Sequence, residues 1–168
     1  NWQEYLRNGV TAVADFPARL PVEKGAVESV SRQYPMLINA HYLDLIQSPD
    51  DALWRQVVPD IRELDDDNYT DDPLAEAAQS PVPGIIHRYP DRVIFLVSSR
   101  CPILCRFCMR KRLAGVATAL TDQEIAGALA YIGTHPSIRE VILSGGDPLM
   151  LDDLLLDDLL SRIRAIAH

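Results

Sequence analysis

No stretch of the chain is long, apolar and uncharged enough to span a bilayer, and no apolar run of signal-peptide type stands near its start. A membrane association is therefore not expected, and the expected setting is cytoplasmic and reducing. Positive charge is scarce too. Sixteen Lys and Arg against 24 Asp and Glu leave a net charge of -8. That excludes general nucleic-acid binding, which needs a basic surface to displace counterions from phosphate. Cysteine is limited to three residues, an odd number that cannot all pair within the chain, so a disulfide framework is excluded as well. Aromatic residues make up only 7%, yet the hydrophobic fraction of 48% is that of a globular enzyme and not of a disordered chain. A chain of 168 residues builds one substantial core, so one domain or a piece of a larger one is expected.

The three cysteines are tightly grouped. Cys101, Cys105 and Cys108 follow the spacing C-x-x-x-C-x-x-C directly after a hydrophobic run, and three thiolates on a short loop suit three corners of a cubane iron-sulfur cluster, leaving the fourth iron open for chemistry. Zinc is the competing reading, with His87 as the nearest upstream fourth ligand, although the usual two-pair spacing is missing. Three buried, unligated cysteines are the bland alternative. Charge is concentrated around the same loop: Arg88, Arg92, Arg100, Arg106, Arg110, Lys111 and Arg112 stand against the single acid Asp91, a window of +6 in a chain of -8. Focused positive charge of this kind attracts phosphate, carboxylate or an anionic cluster; a solvated basic loop is the alternative.

In chain order, residues 1–58 read as helices with short breaks: WQEYLR, VEKGAVESVSRQ, NAHYLDLI, and DALWRQVV ending before Pro59. Tyr42, Leu45 and Ile46 recur at helical spacing, and His41, Trp2 and Trp54 are assigned to packing. Residues 60–83 crowd Asp60, Glu63, Asp65, Asp66, Asp67, Asp71, Asp72 and Glu76 among prolines, which reads as an extended, solvated acidic connector; the spacing lacks the glycine and terminal glutamate of an EF-hand calcium loop. The run VIFLV, 93–97, lacks alternation and predicts a strand buried on both faces, as in a parallel sheet. Thr121 and Glu124 form a capping-box pattern for a helix whose face is Ile125, Leu129 and Ile132. A second strand, VIL at 141–143, leads to SGGDPL. The last helix, from about Asp152 to Ile166, sets Leu155, Leu156, Leu159, Leu160, Ile163 and Ile166 on one face. This order predicts β/α units with right-handed crossovers and functional loops at the C-terminal ends of strands.

With SPVPGIIHRYPDRV before the cysteines, Phe107 just before the last of them, MRKRLAG after, and SGGDPL downstream, the chain resembles the lysine 2,3-aminomutase family of radical S-adenosylmethionine (radical SAM) enzymes. The resemblance implies an α/β fold: an N-terminal helical layer with an acidic linker over 1–83, and over 84–168 the first β/α units of a partial, TIM-like radical SAM barrel. It implies that Cys101, Cys105 and Cys108 hold a 4Fe-4S cluster whose open iron takes S-adenosylmethionine. Phe107 would lie against the adenine, and Ser144, Gly145, Gly146 and Asp147 would receive the methionine end. Arg88, Tyr89 and Arg92 match the segment that binds pyridoxal phosphate, and Arg110 matches the arginine that pairs with the substrate carboxylate.

The implied activity is an isomerisation. Reduction of the cluster splits S-adenosylmethionine, a 5'-deoxyadenosyl radical takes a substrate hydrogen, and the amino group, carried on pyridoxal phosphate, moves from the α to the β carbon. Lysine is the favoured substrate; relatives acting on glutamate or on a lysine of elongation factor P are alternatives, and so is a noncatalytic iron-sulfur or zinc module. The partners implied are a small amino acid, an electron donor of flavodoxin or ferredoxin type, and further copies of the full-length protein. In the family the lysine that anchors pyridoxal phosphate and the acids that read a lysine substrate lie further downstream, so the 168 residues are expected to be the front part of a longer protein and inactive alone.

Overall fold

A β-hairpin opens the C-terminal part of the structure. Strand β1 (Ile85–Tyr89) turns through Pro90 and Asp91 into β2 (Arg92–Ser98), with Ile85 opposite Phe95 and Ile86 opposite Ile94. Two short runs with apolar or aromatic residues, IIHRY and RVIFLV, separated by the two-residue Pro-Asp turn, are a hairpin signal. The computed structural model describes residues 4, 6, 8–65, 70–115 and 119–168. Its helices and strands divide between two units, one comprising Asn1–Asp71 with Pro102–Arg112 and the other Asp72–Cys101 with Leu113–His168.

The regular elements of the first unit are short helices. Helix α1 (Lys24–Gln33) begins at Glu23, whose carboxylate accepts hydrogen bonds from the Gly25 and Ala26 amides, and buries Val27 and Val30. Helix α2 (Ala40–Leu45) is capped by Asn39, which accepts from the Tyr42 amide at 2.8 Å, and α3 (Trp54–Val57) by Asp51, which accepts from Trp54 at 2.8 Å. Such caps satisfy amides that a helix start leaves without partners. Leu20, Ile38, Ile46 and Val57 are almost wholly buried in one core, against which Tyr42, Phe16 and Trp54 pack. Each buried aliphatic side chain contributes about 1.5–3 kcal/mol relative to exposure. Trp54 and Phe16 meet with ring centroids 6.2 Å apart. Two packing expectations are corrected. Leu45 is 46% exposed and His41 lies at the surface, because α2 is only six residues long and turns just Tyr42 and Leu43 inward. Trp2 lies outside the described residues.

Most described residues of the acidic stretch 60–83 are exposed, but several of its carboxylates order the chain locally. Asp60 and Glu63 cap the short 3-10 turn Ile61–Leu64: Asp60 accepts from the Arg62 amide at 2.9 Å, and Glu63 accepts from the Asp60 amide at 3.0 Å. In the second unit, Asp72 accepts from the Glu76 and Ala77 amides at 2.9 Å each, and Glu76 is 5% exposed. These carboxylates are used as local caps, so their mutual repulsion is offset by backbone dipoles. Asp66 and Asp67 lie outside the described residues.

In the second unit β3 (Glu140–Gly145) pairs in parallel with β2, giving the order β1-β2-β3, with Arg92 opposite Glu140 and Leu96 opposite Ser144. Parallel pairing requires a crossover, and helix α4 (Asp122–Gly133) supplies it. Thr121 caps α4 as expected, its Oγ1 accepting from the Glu124 amide at 3.2 Å while the Glu124 carboxylate accepts from the Thr121 amide at 2.8 Å. Helix α5 (Asp153–Arg164) starts at Asp152, which accepts from Leu154 at 3.0 Å.

Val93, Phe95 and Val97 of β2 are buried with Ala128, Ile132 and Leu159 of the two helices. The residues between them point the other way: Ile94 and Leu96 are half-buried, and Ile142 of β3 is 40% exposed. The strand expected to be buried on both faces is thus fully covered on one, where α4 and α5 lie. On α5 the expected apolar face narrows to Leu156, Leu159, Ile163 and Ile166, while Leu155 and Leu160 are 43% and 38% exposed. At 3.6 residues per turn these two flank the inward stripe.

Candidate cluster and cofactor site

The cysteine loop takes its shape from short-range turns and from the helical unit. The Cys108 amide donates to the Cys105 carbonyl at 3.3 Å and the Lys111 amide to the Cys108 carbonyl at 3.2 Å, so residues 105, 108 and 111 follow one another at single-turn spacing. Leu104 N donates to Leu37 O at 2.9 Å and Arg106 N to Gln56 O at 2.7 Å, while Asn39 Nδ2 reaches Pro102 O at 3.2 Å. Beneath the loop lies Glu63. Its carboxylate accepts from Arg106 Nε at 3.0 Å and from a terminal Arg106 nitrogen at 2.8 Å, and also pairs with Lys111 Nζ. Arg106 further donates to Pro35 O at 2.9 Å, and the Lys111 ammonium sits 4.4 Å from the centre of the Tyr34 ring.

Burial works to raise the Glu63 carboxyl; the hydrogen bonds from Arg106 and Lys111 overcome it and hold the group below its ordinary range. Arg106 and Lys111, read from sequence as part of an anion-attracting window, are therefore committed to a carboxylate of the protein itself. Glu63 escaped the sequence reading, although the D-x-x-E capping box at Asp60–Glu63 was a usable signal for an ordered turn.

Cys105 and Cys108 belong to the first unit and Cys101 to the second, and all three are partly buried. Burial pushes the Cys105 thiol up, and the adjacent Cys108 thiol adds to the shift by charge and by a hydrogen bond. A thiol held in its neutral form beside another sulfur is relieved when a metal takes it as a thiolate. The Tyr42 hydroxyl is buried without a hydrogen-bond partner, and it lies near enough to Cys105 to feel its charge. Among the described residues no three His, Cys, Asp or Glu side chains are drawn together as a closed ligand set. Phe107 is 68% exposed and borders a cavity of about 350 Å³ that Trp54, Val58 and Pro59 also line. Arg110 is half-buried.

At the C-terminal ends of β2 and β3 the SGGDPL segment is drawn onto the chain that precedes the cysteines. Gly146 N donates to Ser98 O at 2.5 Å and Asp147 N to Arg100 O at 2.8 Å. Gly145 has φ +114, and a Cβ there would lie 2.1 Å from Ser98 O; at Gly146 it would lie 2.4 Å from Arg100 O. Both glycines are thus required by the protein's own backbone, whatever ligand the corner receives. The Asp147 carboxylate accepts from the Leu149 amide at 2.9 Å and caps the turn Pro148–Met150.

The hairpin gathers the other predicted group. Arg88, Tyr89 and Arg92 share a cavity of about 110 Å³, whose walls include Ile94 and Ile142. The Arg88 guanidinium stands 5.8 Å from the centre of the Tyr89 ring. Arg92 arrives already paired, at 2.9 Å with Asp91 and 3.2 Å with Glu140.

Residues 95–167 match the radical SAM superfamily model. Over 175 residues the chain is 38% identical to an L-lysine 2,3-aminomutase of Acetoanaerobium sticklandii, an alignment covering 100% of this chain and 42% of that protein. It is 39% identical over 177 residues to a putative L-lysine 2,3-aminomutase of Aquifex aeolicus, covering 99% and 48%, and 35% identical over 146 residues to an L-lysine 2,3-aminomutase of Escherichia coli, covering 85% and 42%. The chain is a relative of the L-lysine 2,3-aminomutases. It spans about two fifths of the length of several curated relatives it matches.

In this radical SAM relative the donors present fit the groups the family uses. Three soft thiols on one short loop, two of them side by side, suit an iron-sulfur cluster. Two guanidiniums and a phenol over an apolar floor suit a phosphate carried on an aromatic ring. His87, the upstream zinc candidate, is held elsewhere: its Nδ1 lies 2.7 Å from the Tyr131 hydroxyl of α4, and its ring meets His135 edge to face at 6.1 Å.

Proposed function

We propose that this chain supplies the cluster-binding and phosphate-binding portion of a radical SAM aminomutase that moves an amino group from the α to the β carbon of an amino acid, with lysine as the favoured substrate. The observation that carries the reading is the C-x-x-x-C-x-x-C loop, its Cys105 and Cys108 thiols side by side, within a chain similar along its whole length to L-lysine 2,3-aminomutases. A 4Fe-4S cluster with S-adenosylmethionine supplies radical initiation, and pyridoxal phosphate a carrier for the migrating amino group.

The work of the chain's own residues is binding and orientation. Cys101, Cys105 and Cys108 hold the cluster. Phe107 offers a ring face to the adenine, while Ser144 and Asp147 face the methionine end. Arg88 and Arg92 bond phosphate oxygens, Tyr89 lies beside the pyridine ring, and Arg110 meets the substrate carboxylate. An external one-electron donor of flavodoxin or ferredoxin type is needed to start the chemistry. Anaerobic reconstitution with iron and sulfide tests the reading: about four irons per chain are expected, lost when Cys101, Cys105 or Cys108 is replaced singly by Ala. Zinc retained with no iron, or iron content indifferent to the three replacements, would overturn it.

A further inference from the structure

The loop that carries Cys105 and Cys108 is pinned by a side chain far from it in sequence. Arg106 is 8% exposed, although nothing in its neighbourhood along the chain calls for a buried guanidinium. It directly follows Cys105, and Lys111 stands three residues after Cys108. Both end on the Glu63 carboxylate, whose side chain is only 12% exposed. One anion thus ties down the two cations that bracket Cys108. The Arg106 interaction uses two nitrogens on two oxygens, a geometry that fixes orientation as well as distance. The same guanidinium also bonds the Pro35 carbonyl, adding a side-chain tie to the backbone bonds from Leu104 N to Leu37 O and from Arg106 N to Gln56 O that fasten the loop to the helical unit.

We propose that Glu63 is a positioning residue for the iron-sulfur cluster: through Arg106 and Lys111 it sets the turn that holds the Cys105 and Cys108 thiols side by side before any metal arrives. The inference rests on the proposed cluster role of those cysteines and adds to it a device for preorganisation. A loop bearing three thiols otherwise has many conformers, and ordering them costs conformational entropy on every loading. Glu63 removes much of that cost in advance. It also offsets one of the two buried cations beside the loop, leaving a net charge of +1 to face the thiolates.

The test uses the purified protein and two variants. Glu63→Gln keeps the volume of the side chain but presents an NH2 to one of its donors, so one of the two cations loses its acceptor. Lys111→Met, at a side chain 21% exposed, removes one partner with a smaller risk to folding. In the metal-free protein, alkylation of each cysteine is followed by mass spectrometry, with Cys101 as internal reference. Glu63→Gln is expected to speed alkylation of Cys105 and Cys108 about tenfold relative to Cys101, the order of local opening released by losing a charge-assisted hydrogen bond. Lys111→Met should give the same pattern at smaller size, and in both variants iron uptake on reconstitution should be slower and less complete.

Unchanged ratios in both variants would overturn the proposal, and so would all three cysteines accelerating together, which signals general loosening. If Glu63→Gln does not fold, Lys111→Met alone decides on the same ratio. Failure of the unaltered protein to take up iron counts against the cluster reading itself; the alkylation ratios still report separately on the clamp.

Discussion

Replacing Gly145 by Ala separates two uses of a glycine corner. If glycine is there only to admit a ligand, the metal-free, ligand-free protein should be indifferent to a methyl group. The structure argues otherwise. A Cβ at Gly145 would stand 2.1 Å from Ser98 O and 3.2 Å from Ser98 C, and the residue holds φ at +114. The contact is backbone on both sides, so no side chain can swing away. Adopting this backbone costs a residue with a side chain about 1–3 kcal/mol, and relieving the overlap by shifting β2 against β3 adds about another 1–3 kcal/mol. The sum, about 2–6 kcal/mol, is a large share of the stability of a domain this size. Gly127→Ala is the internal control: it lies in α4 with nothing within 4 Å of its added Cβ, and should stabilise by about 0.5–1 kcal/mol. Urea titration by far-UV circular dichroism reads both. A Gly145→Ala midpoint equal to that of the unaltered protein, with Gly127→Ala stabilising as expected, would refute the claim that the SGGDPL corner is built by backbone contact.

Three further outcomes follow from the second unit. The hydrogen bond from Arg92 holds Asp91 at about 2, against an ordinary 3.8, with Arg139 assisting. The stabilisation this gives is full above pH 3.8 and lost as pH falls through about 2; Asp91→Asn should therefore melt lower than the unaltered protein at neutral pH and no lower near pH 2. Glu140→Gln removes a carboxylate that competes for Arg92 at 3.2 Å, and should tighten pyridoxal phosphate binding by about 2–5-fold in an absorbance titration, the gain shrinking as salt is raised. Phe95 is fully buried, and Phe95→Ala should cost about 3–5 kcal/mol, seen as a lowered urea midpoint with the first unit's helical signal retained.

The elements set by local rules were legible in the sequence. The capping box at Thr121 and Glu124, the helical spacing over 24–33, and the apolar strand before the cysteines all stand where local chemistry put them, because each is satisfied within a few residues. The hairpin strand Ile85–Tyr89 was passed over because its residues also spell a binding segment; its β-branched pair Ile85–Ile86 and the Pro-Asp turn were nonetheless present. Glu63 could not be picked out, since its partners Arg106 and Lys111 lie 43 and 48 residues away and nothing local marks a carboxylate for burial. The charge window misled in the same way. Counting cations says nothing of which are already paired, and Arg92, Arg106 and Lys111 each meet a carboxylate of the chain. Likewise nothing local announces that Gly145 and Gly146 must clear the Ser98 and Arg100 carbonyls, since that backbone comes from a distant part of the chain.

The account stands on Cys101, Cys105 and Cys108 holding a cluster with one open iron. Electron paramagnetic resonance of the anaerobically reconstituted, dithionite-reduced protein tests this most directly. The expected result is a reduced 4Fe-4S signal whose shape changes when S-adenosylmethionine is added. A signal unaffected by S-adenosylmethionine, or no iron-sulfur signal from protein that has kept its fold, would contradict it.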